Sequence, residues 1–182
     1  MLLVAVCPLA TQLAARAAAT QRSGVLLDVP YVRQSRPNAC GAASLAMLVR
    51  YWAKQNGTRN GDSPSESAID RKLDPRDRGI TNTGMASYLR ASGFRVFTFS
   101  GRWNDLRENL AKGRPLIVAL GPHGRRGPFH YAVVAGMNWQ SNSVFLNDPA
   151  RRKLFPMDRS RFLREWAATG NWTLLAVPKV PV

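Results

Sequence analysis

The chain is sparing with the residues that cross-link a fold or hold a metal. Among its 182 residues are two cysteines, Cys7 and Cys40, and two histidines, His123 and His130. Cys7 falls in an N-terminal stretch with the character of an export signal. Cys40 is therefore expected to be the sole cysteine of the mature chain, and one thiol cannot form an intramolecular disulfide. One thiol and two histidines at these spacings match no zinc pattern, so neither a metal nor another cofactor is expected. Acidic residues are few as well: 11 Asp+Glu stand against 26 Lys+Arg, a net charge of +15. Lysine supplies only Lys54, Lys72, Lys112, Lys153 and Lys179, so the excess is arginine. Such a surface favours anionic partners, and weak association with an anionic membrane or wall surface is expected. The basic residues are scattered and not interleaved with aromatics, so nucleic acid is not an expected partner. A clean membrane span is missing too, because Pro8, Gln12 and Arg16 interrupt the apolar stretch from Leu2 to Ala19. No repeat, linker or shift of composition marks a second domain.

What is present begins with residues 1–20, read as a signal peptide. Ala15-Arg16-Ala17-Ala18-Ala19 offers small-residue cleavage sites. An exported protein is the expectation: periplasmic, secreted or envelope-associated. Val6 before Cys7 is unsuited to lipid anchoring at that cysteine. Residues 21–182 read as one domain and a monomer, since 45% hydrophobic residues and five Trp suffice for a single core.

The most informative stretch runs from Gln34 to Trp52. Leu45, Leu48, Val49 and Trp52 recur at helical spacing, and Asn38 is expected to cap the helix N-terminus. Cys40 then sits in the first turn, where free N–H groups and the positive dipole end favour a thiolate. Taken singly, a cysteine on an apolar helix is a small buried hydrophobe. Gln34, six residues upstream, can fold its amide back toward the sulfur, and with the Cys40 N–H it would form an oxyanion hole.

Beyond Gly57, Ser63-Pro64-Ser65-Glu66 reads as a capping box opening a helix over 64–73. A further short helix is expected at 85–91, closed by Gly93. The pattern then turns to strands at 94–99, 116–120, 131–137, 144–148 and 172–177, with helices at 103–112 and 158–169 between them. Helices first and an antiparallel sheet after is an α+β layout.

His130 opens one of these strands and Asp148 closes the next. If Met137 faces Ser143 across the hairpin, Asp148 lies opposite Ala132 and shares a face with His130. The carboxylate would then accept Nδ1–H of the imidazole and leave Nε2 for a thiol. Asn147 points to the other face and is the weaker candidate. His123, in the loop Gly121 to Pro128, is the rival base.

Gln34, Cys40-Gly41, His130-Tyr131-Ala132-Val133-Val134 and Asn147-Asp148-Pro149 together resemble the papain-like cysteine proteases. More closely, the chain is similar to the bacteriocin-processing (double-glycine) peptidase family, in a stand-alone form, over residues 25–177. The resemblance implies a papain-like fold, with an N-terminal helical layer carrying the cysteine packed on an antiparallel sheet carrying His and Asp. It implies Cys40 as nucleophile, His130 as general base and acid, Asp148 as its orienter, Gln34 in the oxyanion hole, and a peptide or protein substrate. Ala39 stands where that family often has an acidic residue, and no transporter domain accompanies the chain, so the leader substrate of fused members is not implied. Two alternatives belong beside a peptidase: an inactive peptide-binding module of the same fold, and a cell-wall-directed cysteine amidase.

Overall fold

A computed structural model describes residues 23–57, 63–121 and 129–179. The expected signal segment, Cys7 and His123 lie outside the described residues. The elements are β1 (Gly24–Leu26), α1 (Cys40–Gln55), α2 (Glu66–Leu73), α3 (Asn82–Ala91), β2 (Phe94–Ser100), α4 (Trp103–Ala111), β3 (Leu116–Leu120), β4 (His130–Asn138), β5 (Ser143–Asn147), β6 (Phe155–Asp158), α5 (Arg159–Ala167) and β7 (Trp172–Pro178). All strand pairs are antiparallel, in the order β2-β7-β3-β4-β5-β6. β1 pairs with β4 at 136–138, on the edge that β3 leaves free.

The sheet separates two apolar clusters. On one side α1 and α3 lay Leu45, Leu48, Trp52, Met85 and Leu89 against Ile117, Val133 and Leu174. On the other, Leu106 and Leu110 of α4 and Phe162 and Trp166 of α5 cover Leu116, Val118, Ala132 and Leu146. Burial on both faces is why β3 and the middle of β4 are apolar at every position and not at alternate ones. The α+β layout expected from the sequence is present, but helices cover both faces of the sheet and not one.

Several local expectations shift. Ala39, not Asn38, caps α1, and it offers no side-chain bond. Asn38 instead sends its Nδ2 to the carbonyl of Asp77, 3.0 Å away. The chain has already turned at Arg36, whose carbonyl accepts the Ala39 N–H, so α1 starts one residue later. At α2 the cap is Ser65, whose hydroxyl accepts from Ala68 N–H, not Ser63. β6 was not legible, because it is short, lies at the sheet edge and contains Pro156.

The β4–β5 register decides the site. At the turn end Met137 faces Val144, not Ser143, one residue away from the expected pairing. A bulge between Val134 and Gly136 then absorbs one residue, and Val133 faces Asn147. The expected register therefore holds only past the bulge, which is the end that carries His130 and Asp148. A regular ladder from the turn would have moved Asp148 along by one position and turned it to the opposite face. The carbonyl of the inserted Ala135 accepts Leu27 N–H at 2.8 Å, so the extra residue also anchors the lead-in chain, the stretch between β1 and α1.

Asn147, fully buried, fastens that lead-in from the other side. Its Nδ2 donates to the Val29 carbonyl and its Oδ1 accepts from Leu154 N–H, each at 3.0 Å. Leu154 sits at φ 53°, a left-handed conformation that a leucine adopts only when its surroundings hold it. Asn147→Ala would strand both backbone groups away from water, at a cost of about 1–3 kcal/mol. A fall in the urea unfolding midpoint of that size, with an unchanged m-value, is the expected measurement.

Candidate active site

Cys40 is the first residue of α1, and His130 and Asp148 lie at neighbouring ends of the β4–β5 pair. Three separate connections bring these elements together. The lead-in chain runs beside the end of β5, with Gln34 N–H donating to the Pro149 carbonyl and the Tyr31 hydroxyl to the Asp148 carbonyl, both at 3.1 Å. The cysteine loop is held from below by α2. Glu66 accepts from Ser35 N–H and Oγ, and Asp70 pairs with the Arg36 guanidinium. Finally, Gly41 packs against Tyr131, leaving 3.5 Å between an added Cβ and the ring, so the helix start abuts the strand carrying His130.

The three side chains form a line. His130 Nε2 and Asp148 Oδ1 are 2.8 Å apart. With Nε2 taken by the carboxylate, Nδ1 is the nitrogen left for the sulfur, the reverse of the assignment expected from sequence. A register argument fixes which residues meet but not the χ2 angle of the ring, and that angle decides which nitrogen faces which partner. The thiol interacts with the His130 ring and with the backbone N–H groups of Tyr131 and Gly41. Asp148 is itself held, accepting Ala150 N–H at 3.0 Å and facing Arg151 Nε at 3.4 Å.

Electrostatics follow from this geometry. Burial pushes the Cys40 thiol up, but the His130 ring and the two backbone N–H groups outweigh it, and its pKa falls below the ordinary thiol value. Burial alone would lower His130, yet Asp148 and the Cys40 thiolate together push it up to about 9. Asp148 is raised by burial, but the His130 ring, the Ala150 N–H and Arg151 together lower it more, and it ends below its usual value. A thiolate–imidazolium pair braced by a carboxylate is the protonation state these shifts favour. Tyr131, buried beside the thiolate, is pushed up to about 12 and donates its proton to Asn82 Oδ1 at 2.6 Å.

Gln34 is tied by its backbone to Pro149, next to Asp148, and its amide is engaged within its own loop. Nε2 donates to the carbonyls of Arg36 and Pro37 at 2.8 and 2.9 Å. Its Oε1 is buried and lacks a partner among the described residues. The residues that sequence reasoning passed over are the loop's acidic supports and Tyr131. Glu66, Asp70 and Asp74 recur at a spacing of four, which puts them on one helical face. That periodicity is visible in the sequence, but of the three only Glu66 enters the sequence reading, as part of a capping box. The cleft in front of Cys40 has a volume of about 350 Å³ and is lined by segments 37–40, 78–81 and 129–131.

An α+β fold in which the first turn of a helix aims a thiol at a histidine and an acid on paired strands is the papain-like architecture of cysteine peptidases. The chain belongs to the Peptidase_C39 like family, whose model matches residues 26–174. No curated protein sequence matches it. Among solved structures it is similar to a C39-like peptidase from Bacillus anthracis, with 14% identity, a TM-score of 0.68, and coverage of 87% of this chain and 99% of that one. The peptidase domain of Streptococcus ComA, a bifunctional transporter of a quorum-sensing pathway, is 26% identical, with a TM-score of 0.60 and coverage of 83% and 99%. A double-glycine-motif protease from an AMS/PCAT transporter, solved with its leader peptide, is 20% identical, with a TM-score of 0.63 and coverage of 86% and 99%.

The charge state has a pH signature. His130 contributes stability that is complete below its ordinary value of 6.5 and is lost as pH rises through about 9. Asp148 contributes stability that is present above 3.8 and is lost as pH falls through its depressed pKa. Alkylation of Cys40 by iodoacetamide should therefore already be fast near neutral pH. In His130→Ala the reactive limb should move up toward the ordinary thiol value of 9.0, lowering the neutral rate about tenfold or more. An unchanged rate–pH profile in that variant would mean that the imidazole does not activate the sulfur.

Proposed function

We propose that the protein is a peptidase that cleaves peptide bonds through Cys40, His130 and Asp148. The observation that carries this reading is the continuous line from the Cys40 thiol through His130 to Asp148, with the imidazole–carboxylate contact at 2.8 Å. In the proposed reaction the Cys40 thiolate attacks the scissile carbonyl carbon and the carbonyl oxygen takes the negative charge. The Cys40 N–H lies at a helix start, where the backbone has no internal acceptor, and is the first oxyanion donor. Gln34 is the second, turning an amide N–H from its loop carbonyls to the oxyanion. Imidazolium Nδ1 of His130 gives its proton to the leaving amine. The ring, now a base, takes a proton from water, and the hydroxide attacks the thioester and frees Cys40. Asp148 keeps the ring oriented and its charge favourable throughout.

The proposed substrate is a peptide bound in the cleft in front of Cys40, a reading supported by the transporter protease of similar fold that was solved in complex with its leader peptide. Processing of a leader-type segment by an endopeptidase is the form of the activity we favour, in an exported protein acting outside the cytoplasm. Cleavage profiling of a peptide library by the purified domain tests the reading. Cys40→Ala should abolish turnover. Gln34→Ala should lower kcat about 10²–10³-fold with little change in KM if its amide acts only on the oxyanion. Persistent cleavage by Cys40→Ala would end the proposal.

A further inference from the structure

The cleft in front of Cys40 has one charged wall that the reaction above does not use. Arg78 lines it together with Asn38, Gly79, Phe129 and His130. Its position is built by the turn that carries it. The Asp74 carboxylate accepts the backbone N–H groups of Arg78 at 2.8 Å and of Gly79 at 2.7 Å. Asp77 and Gly79, on either side, take left-handed φ values of 52° and 83°. Asn38 holds the Asp77 carbonyl from across the cysteine loop. The turn is thus pinned at both ends, and the Arg78 backbone is not free to drift away from the cleft.

Among the described residues, the acids around it are committed elsewhere. Asp70 pairs with Arg36, the Asp77 carboxylate meets the same guanidinium at 3.1 Å, and Asp74 is spent on backbone N–H groups. The Arg78 guanidinium itself has no hydrogen bond or ion pair among the described residues. An arginine on an ordinary surface is solvated and contributes little. Here a turn pinned through its backbone sets an exposed arginine on the wall of the same cleft, about 350 Å³ in volume, that Cys40 and His130 line. A guanidinium in such a place is matched by a carboxylate, which it can bind through two parallel hydrogen bonds. It repels a cationic side chain. Phe129, 54% exposed, adds an apolar surface in the same cleft.

We propose that Arg78 is a specificity-determining residue that selects peptides bearing a carboxylate close to the scissile bond. This rests on the peptidase reading above. The carboxylate can be an Asp or Glu side chain, or the C-terminus of a short peptide. The excess positive charge of the chain acts in the same direction at longer range.

The test compares kcat/KM for C-terminally amidated peptides carrying Asp or Glu, Asn or Gln, or Lys at each position flanking the cleaved bond. A neutral set with free or amidated C-termini tells a side-chain carboxylate from a terminal one. At one position the acid should exceed its isosteric amide about tenfold, and the advantage should shrink as salt is raised. Arg78→Glu should reverse the order in favour of Lys, and its circular dichroism and unfolding midpoint report whether the turn survives. Equal rates for acid and amide in the native protein, or the native order kept by a folded Arg78→Glu, overturn the inference. Binding of the same peptides to Cys40→Ala, read by fluorescence anisotropy, separates the two readings. Acid-selective binding lost in Cys40→Ala/Arg78→Glu, with no turnover by the native protein, removes the peptidase and keeps the inference. Turnover without acid selectivity does the reverse, and absence of both overturns both.

Discussion

The contact between the Cys40 thiol and the His130 ring spans the two halves of the chain, and most of the architecture can be understood as what holds it. The thiol comes from the first turn of a helix packed on one face of the sheet, and the ring from the start of the strand at the sheet's centre. Neither group would carry its charge alone. Burial opposes the thiolate and the imidazolium alike; each is favoured because the other is adjacent, with the Tyr131 and Gly41 N–H groups beside the sulfur and Asp148 behind the ring. An ion pair of this kind tolerates little displacement, because attraction in a poorly solvated place falls off with distance while the desolvation cost remains.

That intolerance gives a reason for the reinforcement around the cysteine loop. The loop is short, polar and irregular, which left to itself would make it mobile. It is bound instead on three sides: to the end of β5 through Gln34 N–H and the Tyr31 hydroxyl, to α2 through Glu66 and Asp70, and to the 74–79 turn through Asn38. Four of the chain's scarce acids, Glu66, Asp70, Asp74 and Asp77, lie in this scaffold. Each of the four is engaged by Arg36, by Ser35 or by backbone N–H groups of the 74–79 turn, so none of them pairs with the Arg78 guanidinium.

The two clusters on either side of the sheet differ in what they carry. One contains Cys40 and Tyr131 and reaches the site. The other, built on Phe162 and Trp166, contains none of Cys40, His130 and Asp148 and covers the opposite face of the sheet. β4 belongs to both, which is why its sequence is apolar without alternation and why a bulge can switch the face of Met137 relative to Ala135 without exposing either.

Local chemistry along the chain determined a good deal. The period of Leu45, Leu48 and Trp52 dictates a helix, a thiol in its first turn is placed among free N–H groups, and uninterrupted apolar runs such as Leu116 to Leu120 call for strands buried on both faces. The quartet of Gln34, Cys40, His130 and Asp148 could be named from these signals because each sits at a helix start, a strand end or the loop before one. Tertiary structure alone decided the rest. The bulge at Ala135, the ring nitrogen that meets Asp148, the departure of Asn38 from its capping role and the edge strand around Pro156 each depend on a partner far away in sequence. Periodicity reports which side of an element is apolar. Register shifts, ring rotations and competing hydrogen bonds are settled only by what lies across the gap, and the energies separating the options are too small for local sequence to choose among them.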